Sequence, residues 1–377
     1  MSEKRKRVLQ VNIDNNGGNG AFTLVRYLYS FLKDQFVFDY YTMGKFIKDR
    51  VYEDIVAEGG RCISANLRKH KLIGHIILPF SFYFFLKNES YEIVHIHSEV
   101  AYKQFLYAIA AKCAGINKII IHSHSSEIDG NSKTVKLIGH KILRNVVNKL
   151  GTDFLACSIP AGKWMFTNKT MNSKKFRILH NGINPCNYEY AQDIRNSVRE
   201  KLKIKDRVVI GHVGALKKVK NQSRLLEIVK EMDDERFILF LIGDGEDKEK
   251  IEKEIEDLKL KEQVKMLGNR TDIAELLQAL DVFVFPSFFE GIPMALIEAQ
   301  ATGIPIIASD TINKDIRIND NMVFLSLDEK NTIWCSYIKE YVNKHIYNTG
   351  FLNIEKSEYN IENSAHELRN IYNNVKD

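Results

Sequence analysis

Short apolar runs alternate along this chain with longer stretches in which apolar residues recur every three or four positions. Parallel βαβ units have this pattern, because each strand is buried on both faces and each helix on one. Residues 8–13 read as the first strand, and a polar, glycine-rich turn at 15–20 leads into an amphipathic helix over 21–32. Further strands are predicted at 36–43, 93–96, 118–123, 153–157 and 176–180. The chain then turns polar from Asn181 to about Arg195 before the pattern restarts, with strands at 207–213, 236–242, 263–267, 281–285 and 304–308 and helices over 221–232 and 246–258. The restart predicts two doubly wound α/β domains in series, 1–188 and 189–359. In the tail, about 360–377, Ile361, Ala365, Leu368, Ile371 and Val375 have helical spacing, so a helix packing back on the first domain is expected. Ligands in such sheets bind outside the carboxyl ends of the strands, which points to a cleft between the two domains.

The length of 377 residues suits two domains rather than one, and 45% hydrophobic with 27% charged residues is a soluble globular composition. Five scattered cysteines without a Cys-x-x-Cys argue against a zinc site or a disulfide framework and fit a reducing cytoplasm. The basic start runs directly into a strand, so no signal peptide is read. The most apolar run, 72–86, is shorter than the roughly 20 residues that span a bilayer. A net charge of +6 fits a phosphate-bearing ligand or an anionic membrane surface. No nucleic-acid signature is present, and nucleic acid is not expected as a partner.

The most specific string runs Phe285-Pro286-Ser287-Phe288-Phe289-Glu290-Gly291-Ile292-Pro293-Met294-Ala295-Leu296-Ile297-Glu298-Ala299. An apolar strand ends at Pro286, Glu290 sits in the loop, Gly291 permits close backbone approach, and Pro293 suits the first turn of a helix that carries Glu298. Free amides at that N-terminus attract an anion such as a diphosphate, and each carboxylate can bond a pair of sugar hydroxyls. Isolated carboxylates in an ordinary strand–turn–helix would look the same; the full string is more specific. Between a strand and a helix, Lys217-Lys218-Val219-Lys220-Asn221 offers cations to a diphosphate leaving group, or is a solvated basic loop.

Three weaker features remain open. The turn Asn15-Asn16-Gly17-Gly18-Asn19-Gly20 lacks the spaced glycines of a dinucleotide fold, and a plain tight turn is equally consistent. His95 and His97 share one face of a strand, as do His122 and His124 on the next. Paired imidazoles raise a metal site, but no Asp, Glu or His set completes a ligand cluster, and core or edge histidines are the ordinary reading. Arg68-Lys69-His70-Lys71 followed by the apolar run 72–86 suits a membrane surface, and equally a core helix with a solvated start.

Glu290 and Glu298, with seven residues between them, resemble the E-x7-E motif of the retaining GT-B glycosyltransferases of family GT4. The resemblance covers nearly the whole chain. Leu241-Ile242-Gly243-Asp244-Gly245 is similar to the family's strand–glycine turn, Leu267-Gly268-Asn269-Arg270-Thr271-Asp272-Ile273 to its base-holding loop, and Ile178-Leu179-His180-Asn181-Gly182-Ile183-Asn184 to its domain junction. Ala156-Cys157-Ser158 and Ala161-Gly162-Lys163-Trp164 resemble the exopolysaccharide and capsule branch.

The resemblance implies a GT-B fold, with two Rossmann-like domains facing a central cleft, the first binding acceptor and the second a nucleotide sugar. It implies that Glu290 contacts the donor sugar, Glu298 the ribose, and the backbone of Gly291, Ile292, Pro293 and Met294 the sugar and diphosphate. Lys220 matches the lysine of the family's phosphate loop by its spacing to Gly214 and Asn221, and His124 matches a histidine facing the reacting sugar. Gly17, Gly18, Asn181, Lys218, Gly243, Arg270, Pro286 and Ser287 complete the implied donor site. One departure stands out: Ala215 occupies the place of the usual arginine after Gly214, which halves the expected Arg/Lys pair.

The implied activity is metal-independent retaining transfer of a hexosyl or N-acetylhexosaminyl group, from a UDP-sugar in preference to a GDP-sugar. The acceptor would be a hydroxyl of a glycan or polyprenyl-diphosphate-linked acceptor in surface polysaccharide synthesis. No cofactor is expected. The location would be the cytoplasm, peripheral on the inner face of the cell membrane. Other readings are a non-catalytic nucleotide-sugar-binding subunit, which Ala215 keeps open, a nucleotide-sugar 2-epimerase, and, more remotely, a metal hydrolase using the paired histidines.

Overall fold

The computed structural model describes residues 5–16, 20–67, 71–125, 133–204 and 206–374. The chain folds as two units, Met1–Asn181 together with Ile361–Asp377, and Gly182–Asn360.

The first unit is built on β1 (Lys6–Val11), β2 (Phe36–Thr42), β3 (Cys62–Ser64), β4 (Ile93–His97), β5 (Lys118–Ser123), β6 (Asp153–Ala156) and β7 (Phe176–Ile178). They form one parallel sheet in the order β3-β2-β1-β4-β5-β6-β7. β2, β4 and β5 are buried along their whole length, as strands are when helices cover both faces of a sheet. One face packs a core with Leu9, Val94, Ile96, Ile119 and Ile121; the other packs Val8, Phe36, Phe38, Ile120 and Leu155.

The tail helix, Ile361–Asn373, lies in that second core through Ile361, Ala365, Leu368, Ile371 and Tyr372. The Tyr372 ring meets Phe36 and Phe38 edge-on at 5.2 and 5.9 Å. Val375 lies outside the described residues. The apolar run forms one helix, Lys71–Lys87, with Pro79 inside it. Among the described residues no helix is long and apolar enough to cross a membrane.

In the second unit β8 (Val208–Val213), β9 (Phe237–Ile242), β10 (Val264–Gly268), β11 (Val282–Phe285), β12 (Ile306–Ser309) and β13 (Met322–Leu325) form a parallel sheet. Its order is β10-β9-β8-β11-β12-β13, the arrangement of a nucleotide-binding doubly wound sheet.

Two differences from the sequence reading have plain causes. Residues 182–188, assigned above to the first domain, belong to the second unit. Ile183 and Tyr188 are buried in its core, and the Ile183 amide donates to the Tyr359 carbonyl at 2.9 Å. β3 and β13 were not anticipated, because they are edge strands of three and four residues that are too short to show a period.

Candidate functional site

Each sheet reverses its strand order once, between β1 and β4 in the first unit and between β8 and β11 in the second. At such a reversal the loops leaving two neighbouring strands diverge to opposite faces and leave a crevice. Most of the described residues singled out from sequence lie on the loops at these two places.

In the second unit, β8 and β11 pair through Ile210 with Val282 and Gly211 with Phe283. Their loops are therefore brought together. The Phe288 amide donates to the Val219 carbonyl at 2.9 Å, and the Asn221 side-chain amide donates to the Pro286 carbonyl at 3.1 Å. Asn221 does so from a left-handed conformation with φ 56°, which asparagine tolerates better than most residues. The Lys220 ammonium donates to Glu290 Oε1 at 2.7 Å and lies 4.9 Å from the Phe285 ring centre. The two side chains are 18% and 11% exposed, so the pair is largely withdrawn from water.

The floor of this crevice is backbone stacked on backbone. A Cβ on Gly243, whose φ is +139°, would lie 2.1 Å from the Gly214 carbonyl oxygen, so only glycine fits. The Gly243 amide donates to the Gly268 carbonyl at 2.9 Å, and the Gly214 amide to the Ile242 carbonyl at 2.9 Å. These contacts join the loops after β8, β9 and β10. A Cβ on Gly214 would also stand 3.4 Å from the Lys220 side-chain carbons, so the lysine stem lies close over that glycine.

Beyond β11, Gly291 is exposed with open space where a side chain would be. Pro293 is the N-cap of helix Met294–Ala301, and its side chain makes no capping hydrogen bond. Ile292 and Met294 pack partly against the core of the second unit that holds Phe283, Phe285 and Leu296. Glu298 is half-buried; burial raises its carboxyl above the usual carboxylate range, and a hydrogen bond from Tyr188 opposes the shift. The Ser287 side chain is fully buried, and its carbonyl accepts from the Thr311 hydroxyl at 2.9 Å.

Lys217, Lys218 and Ala215 are exposed, and the Ala215 carbonyl accepts from the Gln222 side-chain amide at 2.9 Å. Arg270, on the loop after β10, is exposed and forked onto Asp272. Sequence reasoning missed Tyr188, His212 and Thr311. His212 is buried, bonds the Val284 carbonyl at 3.1 Å, and is held neutral with its pKa lowered to about 4 by burial. No local signal marks these residues, since each reaches the site from a different element.

In the first unit, a cavity of about 460 Å³ opens at the β1–β4 reversal and is lined by Asn12, Asp14, His97, His124, Ser125 and Asn181 among others. Asn12 donates to the His97 carbonyl at 2.7 Å, and Asp14 accepts from the Thr42 hydroxyl at 2.7 Å. Asn181, grouped above with the donor site, lines this cavity, and its buried Oδ1 has no partner among the described residues. It follows β7 in the first unit, one residue before the chain enters the second. Gly17 and Gly18 lie outside the described residues.

The paired histidines are also here. Sequence reading found no completed ligand set, yet β4 and β5 bring His95, His97 and His122 together with ring nitrogens within 4.8 Å of one another. Those nitrogens bond each other, His124, Gln10 and Tyr372, apart from His122 Nε2, which has no partner among the described residues. Burial, and for the first three the neighbouring imidazoles, lower the pKa of His95, His97, His122 and His124, the last to about 4.

Comparison with known proteins adds a lineage to this geometry. Residues 193–320 match the family described as "Glycosyl transferases group 1". The whole chain is similar to the putative glycosyltransferase EpsF of Bacillus subtilis, at 30% identity over 99% of this chain and 98% of that protein. It is 31% identical, over 61% of its length and 60% of the other, to an Escherichia coli UDP-Gal:alpha-D-GlcNAc-diphosphoundecaprenol alpha-1,3-galactosyltransferase. Among solved structures, Anabaena Alr3699/HepE in complex with UDP superposes with a TM-score of 0.76 at 15% identity, covering 98% of this chain and 99% of the other. That likeness concerns the fold, which is GT-B.

Proposed function

The chain belongs to the glycosyl transferases group 1 family, and on that premise we propose that it transfers a sugar, with retention, from a UDP-sugar to a hydroxyl of a glycan or polyprenyl-diphosphate-linked acceptor in surface polysaccharide synthesis. The observation that carries this reading is the Lys220–Glu290 pair at the β8–β11 reversal. A diphosphate bears more negative charge than one carboxylate and competes for the Lys220 ammonium. Its arrival frees Glu290 to accept hydrogen bonds from sugar hydroxyls. The lysine then stabilises charge that develops on the leaving diphosphate, in a crevice where such stabilisation counts most. The start of helix Met294–Ala301 adds backbone amides to the same task, and Glu298 takes the ribose hydroxyls. With Ala215 in the arginine's place, Lys217 and Lys218 supply the remaining positive charge as mobile points. His124, in the first unit, faces the reacting sugar.

The proposed setting is the inner face of a cell membrane. Helix Lys71–Lys87 buries Leu78, Phe82 and Leu86 but exposes Ile73, Ile76, Phe80 and Phe84. Helix Lys133–Leu150 exposes Ile138 and Ile142 beside Lys141. Apolar surface flanked by lysines suits anionic lipid. The E. coli relative's acceptor, GlcNAc-diphosphoundecaprenol, is a lipid of that kind.

The test is donor hydrolysis, transfer to lipid-linked acceptors and thermal shift against UDP-, GDP- and ADP-sugars, with and without EDTA. Turnover of a UDP-sugar that is indifferent to EDTA supports the proposal; loss of activity in EDTA refutes metal independence. Stabilisation by a nucleotide sugar without turnover on any acceptor identifies a binding subunit, the reading that Ala215 keeps open. His124→Ala lowers turnover more than donor affinity; equal loss of affinity alone contradicts its placement.

A further inference from the structure

The buried histidines form a continuous hydrogen-bonded chain, and its polarity can be worked out bond by bond. The Gln10 side-chain nitrogen donates to the Tyr372 hydroxyl oxygen at 3.0 Å, which turns the Gln10 oxygen toward His97 Nε2 at 2.8 Å. An amide oxygen only accepts, so His97 Nε2 carries the hydrogen. His97 is 1% exposed, and burial keeps it neutral; a neutral imidazole has one N–H, so its Nδ1 is bare. That bare nitrogen lies 2.8 Å from His124 Nε2, which must therefore be the donor. His124 is neutral for the same reason, so its second nitrogen, Nδ1, is left without a hydrogen. A parallel branch follows the same logic. The Tyr372 hydroxyl, accepting from Gln10, gives its own hydrogen to His95 Nδ1 at 2.7 Å, and His95 Nε2 gives its hydrogen to His122 Nδ1 at 3.2 Å.

Both branches start at the Gln10 amide. Turning that amide over would reverse every bond, and His124 would then present an Nδ1–H. We propose that Gln10, on β1, and Tyr372, on the tail helix, are positioning residues that hold His124 in a single tautomer, with Nε2 protonated and Nδ1 presented as an acceptor. Because His124 lines the cavity at the β1–β4 reversal, a bare Nδ1 selects a ligand that brings a hydroxyl to it, as a sugar does, over one that brings only acceptor oxygens. Neither Gln10 nor Tyr372 lines that cavity, and both are fully buried. Among the described residues, their hydrogen-bonded link to His124 runs through the imidazole rings. The catalytic consequence rests on the reading of His124 given above; the tautomer itself does not.

Two-bond proton–nitrogen spectra of the full chain labelled with 15N-histidine test this directly. The chain has 11 histidines, and His124→Gln assigns the signal by its loss. In the wild type His124 is expected as one species, protonated at Nε2 and bare at Nδ1. Gln10→Met removes the acceptor at His97; the His124 signals then become those of a tautomer mixture, and turnover falls ~10-fold or more with donor affinity nearly unchanged. Gln10→Glu keeps an oxygen toward His97, retains the Nε2-protonated tautomer and raises the pH at which the histidines titrate. A wild-type His124 protonated at Nδ1, an unchanged His124 in folded Gln10→Met, or histidine signals that move with added zinc would each overturn the proposal. The wild-type spectrum needs no variant to fold. Full transfer by His124→Ala together with the expected spectrum would refute the functional reading and leave the tautomer standing.

Discussion

Removing the charge of Lys220 is expected to damage catalysis far more than folding, and the size of both effects follows from the geometry. The ammonium and Glu290 Oε1 are 2.7 Å apart, with side chains 18% and 11% exposed. Part of the Coulomb attraction is cancelled by the loss of hydration of two largely withdrawn charges. A charge-assisted hydrogen bond of this kind contributes about 1.5–3 kcal/mol net. Contact with the Phe285 ring at 4.9 Å adds about 0.5–1 kcal/mol. Lys220→Met should therefore destabilise the second unit by about 2–4 kcal/mol, less than the whole stability of an ordinary domain. Transfer should fall by about 100- to 1000-fold, the usual effect of losing one group that stabilises developing charge. Urea unfolding of wild type, Lys220→Met, Glu290→Gln and the double variant closes a cycle in which the coupling should be about 1.5–3 kcal/mol. A coupling below about 0.5 kcal/mol would refute the withdrawn ion pair. Wild-type transfer by a folded Lys220→Met would refute its role.

Gly243→Ala should lose at least about 2 kcal/mol of stability, because the added Cβ would stand 2.1 Å from the Gly214 oxygen at a φ of +139°; an unchanged urea midpoint would contradict that close approach. Glu298, whose pKa burial raises above 4.5, contributes stability that is fully present below 4.5 and lost as pH rises through its folded value. Glu298→Gln should accordingly gain on the wild type between pH 4 and 7 in thermal melts, and a pH-independent difference would rule the burial out. His95, His97 and His122 have folded pKa values well below 6.5, so the stability they contribute is present above pH 6.5 and lost as pH falls toward their folded values. Each can steepen that loss by up to about 1.4 kcal/mol per pH unit, and a first unit whose urea midpoint stays flat from pH 6.5 to 4 would disprove the neutral cluster.

Much of the fold was legible because each layer follows from local spacing. The run from Phe237 to Ile242 is wholly apolar and wholly buried, as a strand between two helical layers must be. The tail helix was readable from four apolar positions that share one face, Ile361, Ala365, Leu368 and Ile371. The edge strands β3 and β13 were not, since three or four residues carry no period. The junction was placed seven residues late because Ile183 and Tyr188, in a polar-looking stretch, are buried by a core formed elsewhere.

The chemistry divides in the same way. Glu290 and Glu298 belong to a single strand–turn–helix, so their relation was contained in the local order of residues. The lysine loop and the Gly243 turn were likewise visible one at a time. Their meeting was not: Lys220 and Glu290 are 70 positions apart and touch because β8 and β11 are neighbours in the sheet. Gln10 and Tyr372 are 362 positions apart and touch because the tail helix returns to the first unit. Periodicity reports which face of an element is buried, and it carries no record of which element buries it. Strand order and the return of the tail settle that, through the burial of whole surfaces at once, and with it the partner of each charged or titratable group.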